Sequence, residues 1–152
     1  MVVLGNRGRC AQPCRLPYEL LEEKNINGKV SESTIDKGYL ISPRDLCSLE
    51  YLPELINAGV KCFKIEGRLK SPEYVAVVTR IYRKYIDMVL NGDEYVIDEK
   101  DKLALKQIFN RGEFSTGHLS NSANKSLIFK EKPNNMGLYL GNVAGYNKLK
   151  GH

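Results

Sequence analysis

Two short apolar runs, each followed closely by the start signals of a helix, constrain the fold of this chain most. The first run, 39–42, predicts a buried strand, and Asp45 beyond it predicts the N-cap of a helical segment that Pro53 divides in two. The second run, 60–65, predicts another strand, and 71–73 has the Ser-Pro-Glu order of an N-cap and acidic first turn. This is the pattern of parallel βα units, in an α/β fold, whose loops at the carboxyl ends of strands usually carry function.

Further elements are predicted on either side of these units. Asn27-Gly28 favours a tight turn, so the segments 16–22 and 29–33 should form a hairpin. The long helix carries apolar residues at three- and four-residue spacing and should end at Asn91-Gly92, and another helix should begin at Asp98.

The last part of the chain has a different composition. From Phe114 onward it is rich in Ser, Asn, Gly and Lys, and its best signal for regular structure is a glycine-interrupted strand at 136–143. This composition predicts the start of a β-rich domain.

Composition and charge restrict the compartment and the partners. No secretion signal is visible and no apolar run reaches membrane-spanning length, so we expect a cytoplasmic protein that does not enter a membrane. In a reducing cytoplasm, four cysteines are metal ligands, reactive thiols or small buried hydrophobes rather than disulfides. A formal charge of +5 and a pI near 9.0 suit an anionic partner such as nucleic acid, although on charge alone a solvated basic surface is the somewhat better explanation.

Two thiols four positions apart, Cys10 and Cys14, lie in a loop rich in Gly, Pro and Arg. Their spacing lets both reach one metal centre, but a complete site needs about four ligands. Cys47 follows the first predicted strand and is expected to approach this loop, whereas Cys62 lies inside the second, where a buried structural thiol is more common. Thiolates suit both zinc and iron-sulfur clusters, so the metal stays open at this point.

Lys64, Glu66 and Arg68 alternate at the end of the second predicted strand and are the candidate catalytic residues. They place a carboxylate and two cations at one pocket, unless Glu66 and Arg68 simply pair with each other at its rim. No Gly-x-Ser-x-Gly motif and no paired acidic motif of an aspartic protease is present in the sequence. His118 has no catalytic context and is expected at the surface.

Arg7, Arg9 and Arg15 surround the cysteines and are candidate contacts to RNA phosphates. Tyr82 and Tyr85 on the long helix could stack on bases, but they share its apolar stripe and are expected in the core.

Three ordered motifs carry a family resemblance. Residues 7–18, which include Arg-Cys-Ala-Gln-Pro-Cys-Arg, then 39–47 and then 63–68 closely resemble the collagenase-like peptidase family of unassigned catalytic type, number thirty-two of its class. The resemblance covers most of the chain from Gly5 to about Leu119. It implies a (β/α) TIM-like barrel in the intact protein.

On this resemblance, 1–119 is expected to supply the last strands and helices of the barrel together with the cysteine loop, and 120–152 the beginning of the β-rich domain. The chain would then be the back part of a larger protein. We expect such a part to be inactive by itself and to associate with itself through its exposed barrel edge.

The resemblance also implies a four-iron four-sulfur cluster, with zinc as the alternative metal. Cys10 and Cys47 match the ligand positions of the family best, Cys14 matches a ligand of some branches, and Cys62 matches none. Family members are named proteases, yet bacterial relatives hydroxylate bases of transfer or ribosomal RNA, and others are accessory proteins in quinone hydroxylation. The version of the loop in this chain looks most like the ribosomal RNA branch.

Three functions therefore remain. The first is an iron-sulfur enzyme that hydroxylates an RNA base, the second is a peptidase that acts on a peptide substrate, and the third is a non-catalytic iron-sulfur accessory module.

Overall fold

The computed structural model describes residues 10–26, 29–120 and 127–146. The helices within these ranges are α1 (Leu52–Asn57), α2 (Pro72–Asn91) and α3 (Glu99–Ile108). The strands are β1 (Tyr18–Ile26), β2 (Lys29–Gly38), β3 (Asp45–Leu46) and β4 (Phe114–Ser115). Short 3-10 turns at Pro13–Arg15 and Leu49–Tyr51 precede β1 and α1.

Strands β1 and β2 pair antiparallel, with Tyr18 opposite Gly38. This confirms the predicted hairpin, which is longer than the sequence pattern indicated; its Asn27-Gly28 turn lies outside the described residues. The register shifts between Leu20 and Leu21, where an irregularity of the β-bulge type increases the twist of the ribbon. Most side chains of the hairpin are exposed, so the ribbon contributes little to the core.

Strands β3 and β4 pair in parallel, with Asp45 opposite Phe114. The predicted strand at 39–42 is wrong, because the Ser42 N–H donates to the Tyr39 carbonyl at 3.0 Å and closes a turn. Strand β3 begins only after this turn, so Asp45 is a strand residue and not the predicted N-cap of a helix.

The backbone around this turn bonds to the segment that follows residue 126. The Arg44 N–H donates to the Leu127 carbonyl at 2.8 Å, and the Phe129 N–H donates to the Ser42 carbonyl at 3.0 Å. These bonds hold the chain extended up to β3, and helical structure starts only at Leu49. Beyond it the prediction of two short helical pieces ending near Ala58-Gly59 is confirmed.

The predicted strand at 60–65 is not formed, because this segment has no hydrogen-bonded strand neighbour among the described residues. Its side chains nevertheless alternate as they do in a strand. Phe63 and Ile65 are partly buried against the helices, whereas Lys64 and Glu66 are exposed on the opposite side. The sequence pattern therefore identified the two faces correctly but not the pairing.

The predicted strand at 136–143 is also wrong, since no strand occurs within 127–146. Its large apolar side chains are exposed: Tyr139 by 80% and Leu140 by 96% of their area. Among the described residues no neighbouring strand pairs with this segment, and a single strand is not stable by itself in water.

Both longer helices begin and end where the sequence predicts. The Ser71 hydroxyl accepts the Tyr74 N–H at 3.3 Å at the start of α2, and Gly92 ends the helix with a left-handed φ of 74°. The Asp98 carboxylate accepts the Lys100 N–H at 2.8 Å and caps α3. Each cap satisfies backbone groups that the helix itself leaves without partners.

The core lies where α2 packs against α1 and α3. Its buried apolar residues are Leu49, Leu52, Val78, Ile81, Tyr85 and Leu105. The Tyr85 hydroxyl donates to Asp101 Oδ2 and accepts the Asp98 N–H, both at 2.8 Å. Tyr82 packs against the same core, so both tyrosines are core residues, as expected.

No helix in the described ranges combines the length and the apolar character needed to cross a membrane.

The boundary between two domains at 119/120 and the (β/α) barrel both stay predictions. Part of the second predicted domain bonds to the first: the Met136 N–H donates to the Asn110 carbonyl at 2.8 Å, and the Tyr39 N–H donates to the Lys130 carbonyl at 3.0 Å.

We predict that Tyr85→Phe lowers the free energy of unfolding by about 1 to 3 kcal/mol, because the fully buried Tyr85 hydroxyl bonds to both the Asp98 N–H and the Asp101 carboxylate, and each loses a partner. Urea denaturation followed by circular dichroism measures the change. Tyr139→Phe removes the same hydroxyl from a side chain that is 80% exposed and should change the stability by less than about 0.5 kcal/mol. Equal effects of the two substitutions would contradict the role of Tyr85.

Candidate functional site

One cavity of about 1120 Å³ lies between the cysteine loop, the end of β3, the segment 62–70 and the residues that follow α3. It brings together six of the residues that the sequence identified as site candidates. These are Cys10, Cys14, Arg15, Lys64, Glu66 and Arg68. Arg7 and Arg9 lie outside the described residues, and Cys47 is not part of the cavity wall. His118 lines the cavity and is exposed, as expected.

The course of the loop at 66–70 along the cavity depends on two of its residues, Gly67 and Leu69. A Cβ at Gly67 would lie 2.6 Å from Val75 Cγ2, so only glycine allows the loop to approach α2 this closely. Leu69 adopts a left-handed φ of 62°, a conformation that non-glycine residues rarely take, and the Lys70 N–H closes the turn on the Gly67 carbonyl at 3.0 Å. This turn places Lys70 in the cavity wall.

Lys64, Glu66 and Arg68 form one polar arrangement. Lys64 Nζ lies 3.7 Å from Glu66 Oε2, and Glu66 Oε1 accepts the backbone N–H of Arg68 at 3.1 Å. The Lys64 and Glu66 side chains are 86% and 63% exposed, so their ion pair is weak and leaves both groups accessible to a ligand. The arrangement fits a site that binds and orients a polar substrate.

The cysteine loop is a tight turn. Gln12 has a left-handed φ of 54° and begins the 3-10 turn Pro13–Arg15, and its N–H donates to Cys10 Sγ at 3.3 Å. Cys10, Cys14 and Cys62 all line the cavity. Cys62 is exposed, which corrects the expectation of a buried structural thiol.

Cys47, unlike these thiols, does not line the cavity. It packs against the helical core, and burial raises the pKa of its thiol despite hydrogen bonds from the Leu49 N–H and the Tyr82 hydroxyl. A protonated thiol is a poor metal ligand, because the thiolate is the binding form.

The donor set does not complete a metal site. Among the residues that the structure describes, no three His, Cys, Asp or Glu side chains are grouped to hold an ion. Cys10 and Cys14 offer suitable donor chemistry, but the arrangement does not fit a complete four-ligand cluster. Shared ligation by Cys10 and Cys47 stays a prediction.

Asp45, Lys70 and Arg111 belong to the same cavity and were not recognised as site residues from the sequence. Arg111 Nη1 donates to Asp45 Oδ1 at 2.9 Å across the β3–β4 pair, and both side chains are largely buried. Burial and the nearby Arg111 charge lower the pKa of Lys70 to about 8, although Asp45 opposes this shift. The alternation of 64, 66 and 68 extends to Lys70, which is the signal that could have identified it.

Comparison with known proteins places this site in a family. The family model described as peptidase family U32 matches residues 3–128. The chain belongs to this family. An uncharacterized protease of Methanocaldococcus jannaschii is 37% identical over 145 residues, which cover 95% of this chain and 33% of that protein. A collagenase of Porphyromonas gingivalis is 40% identical over 109 residues, 70% of this chain and 25% of that protein.

A further relative is named for RNA modification. The 23S rRNA 5-hydroxycytidine C2501 synthase of Escherichia coli is 33% identical over 153 residues, which cover 91% of this chain and 21% of that enzyme. Proteins named for tRNA hydroxylation in Bacillus subtilis and Helicobacter pylori match shorter stretches. The chain thus spans a third or less of the length of these relatives. No solved structure matches it.

We predict that Lys70 makes the stability of the family U32 chain depend on pH. The folded protein releases the Lys70 proton near pH 8, whereas an unfolded lysine keeps it to about pH 10.4. Between these values the unfolded chain binds more protons, so this residue makes the free energy of unfolding rise with pH. As the pH rises from about 8 to about 10.4, the free energy of unfolding of the unsubstituted protein should increase relative to that of Lys70→Met. Urea titrations at several pH values measure both. The exposed Lys61 provides the control: Lys61→Met should show the same pH dependence as the unsubstituted protein.

We also predict that the cysteines differ in reactivity. Cys62 is exposed, whereas burial raises the pKa of Cys47, so iodoacetamide should label Cys62 at least about tenfold faster near neutral pH. Mass spectrometry of tryptic peptides at successive times measures each rate. In urea the two rates should converge. Equally fast labelling of Cys47 in the folded protein would show that its thiol is accessible.

Proposed function

We propose that the protein to which this chain contributes hydroxylates a base of ribosomal or transfer RNA, and that the cavity is where the base binds. The observation that carries this proposal is the make-up of the cavity wall, which combines the cysteine loop with five basic and only two acidic side chains. A basic concave surface attracts the phosphates of RNA, and relatives named for rRNA and tRNA hydroxylation share this part of the chain.

In this proposal, Lys64, Glu66 and Arg68 hold the base. Base edges present both donors and acceptors, and a carboxylate flanked by two cations can bond to both kinds of group. The Arg68 N–H orients the Glu66 carboxylate, and the weak ion pair with Lys64 leaves both side chains accessible to the base. Arg15, with Arg7 and Arg9 from the undescribed start of the chain, would contact phosphates.

We further propose a four-iron four-sulfur cluster at the cysteine loop, with zinc as the alternative metal. A cluster would supply electron transfer, which hydroxylation requires. Cys10 is the proposed ligand from the cavity wall, with Cys14 or Cys47 as a second. Because the described residues do not complete the site, further ligands would have to come from elsewhere in the protein.

A peptidase is the second candidate function, because the family and two of the relatives carry peptidase names. The basic cavity wall favours RNA over a peptide of ordinary composition. A non-catalytic iron-sulfur module is the third candidate, which keeps the thiols but requires no substrate in the cavity.

Deletion of the gene should remove one hydroxylated base from ribosomal or transfer RNA, measured by mass spectrometry of digested RNA. The unsubstituted gene should restore it and Cys10→Ala should not. Glu66→Gln should lower the modified fraction at least about tenfold, because the base loses an ionised acceptor. Glu131→Gln makes the same change at an exposed residue outside the cavity wall and should restore the modification.

Unchanged hydroxylation after deletion would remove the RNA hydroxylase function. Release of peptides from collagen that Glu66→Gln abolishes would instead establish the peptidase. Protein purified without oxygen should contain iron and sulfide, whereas stoichiometric zinc without iron would contradict the cluster.

A further inference from the structure

Three cations and one carboxylate that are not among the candidate catalytic residues lie together in the wall of the cavity. The cations are Arg15, Lys70 and Arg111, and the carboxylate is Asp45. Lys70 interacts electrostatically with all three of the other groups, and Arg111 interacts with both Arg15 and Asp45. These four side chains therefore form one charged cluster with an excess of two positive charges.

Aromatic rings and the backbone hold the cations in place. Lys70 Nζ lies 2.7 Å and Arg111 Cζ 4.6 Å from the centroid of the Phe109 ring, so both cations contact the same ring. Arg111 Nε also donates to the Pro133 carbonyl at 2.9 Å. Tyr74 adds a second ring 5.2 Å from Lys70 Nζ.

Arg15 is held by a different set of residues. Its Nη1 donates to Ser42 Oγ at 2.6 Å and to the Pro43 carbonyl at 2.8 Å. Ser42 is fully buried, so this anchor is rigid. The positions of the cations are thus set by the fold in the absence of a ligand.

The cluster is electrostatically unbalanced. Like charges brought together in a partly buried wall repel each other, and Asp45 offsets only one of the three. Burial, with the repulsion from Arg111 and Arg15 added to it, lowers the pKa of Lys70 to about 8. Asp45 Oδ2 is buried and has no hydrogen-bond partner in the described part of the chain. A bound anion would neutralise the excess charge.

We propose that Arg15, Lys70 and Arg111 form a subsite that binds an oxyanion, the phosphate or carboxylate group of a ligand in the cavity. Guanidinium and ammonium groups are the side chains that bind such oxygens most strongly, and their fixed positions reduce the entropy lost on binding. The oxyanion belongs either to a phosphodiester of RNA or to a free small molecule. Binding at this subsite does not depend on the hydroxylation proposed above.

Calorimetric titration of the protein at low salt with inorganic phosphate, and separately with succinate, tests the subsite. Lys70→Gln should weaken binding about tenfold or more, because a charge-assisted hydrogen bond is lost. Lys70→Arg keeps the charge and should bind within about threefold of the unsubstituted protein. Lys61→Gln removes one charge from an exposed side chain outside the cavity wall and should bind unchanged. Thermal melting checks that the variants fold.

A parallel titration with a single-stranded RNA oligonucleotide distinguishes the sources of the oxyanion. Weaker phosphate or succinate binding in Lys70→Gln, but not in Lys61→Gln, supports a subsite for a free small anion. If Lys70→Gln weakens the binding of RNA but not of phosphate or succinate, and Lys61→Gln weakens none of them, the subsite binds a phosphodiester of RNA. If Lys70→Gln and Lys61→Gln bind all three probes equally, the subsite does not exist, whatever the outcome for RNA hydroxylation.

Discussion

The ion pair between Asp45 and Arg111 is the constraint on which the arrangement of the cavity depends. It joins the start of β3 to the short segment between α3 and β4, next to the parallel pairing of these two strands. Its two side chains are 20% and 12% exposed, so the attraction is screened less than at a surface pair. Removing one partner would leave the other charge buried without compensation, which is far more costly than losing a surface pair. The pair therefore fixes the geometry of the cavity wall more than it adds net stability.

The sequence predicted those elements whose determinants lie within a few residues of each other. Ser71 and Asp98 cap their helices through N–H groups two or three residues away, and Asn27-Gly28 lies between the paired strands of the hairpin. The strand predicted at 39–42 does not form, and the backbone of 39–44 bonds to residues more than eighty positions away. Hydrogen bonds between residues so far apart in sequence produce no periodic pattern of apolar residues within the segment itself.

The same distinction applies to the site. The cysteine loop and the alternation of Lys64, Glu66 and Arg68 are local patterns, and the cavity contains all of them. Arg111 lies in an Asn-Arg-Gly sequence that marks the end of a helix, and nothing in that sequence reveals its distant partner Asp45. Cys47 follows β3 and not the strand predicted at 39–42, and its side chain packs against the core, a direction that spacing alone does not determine.

The segment 60–65 connects the described structure with the proposed barrel. All four of Phe63, Lys64, Ile65 and Glu66 line the cavity, but Phe63 and Ile65 are partly buried against the helices whereas Lys64 and Glu66 are exposed. In a (β/α) barrel one face of each strand packs against the surrounding helices and the other faces the interior. The alternation in this segment is the one that a barrel strand requires, with its polar face at the site. A barrel would also supply the missing strand neighbours, and the backbone of this segment needs those bonds once it is buried. A closed barrel would also exclude water from the cavity, so the five cations of its wall would repel each other more strongly. An anionic ligand would offset this repulsion.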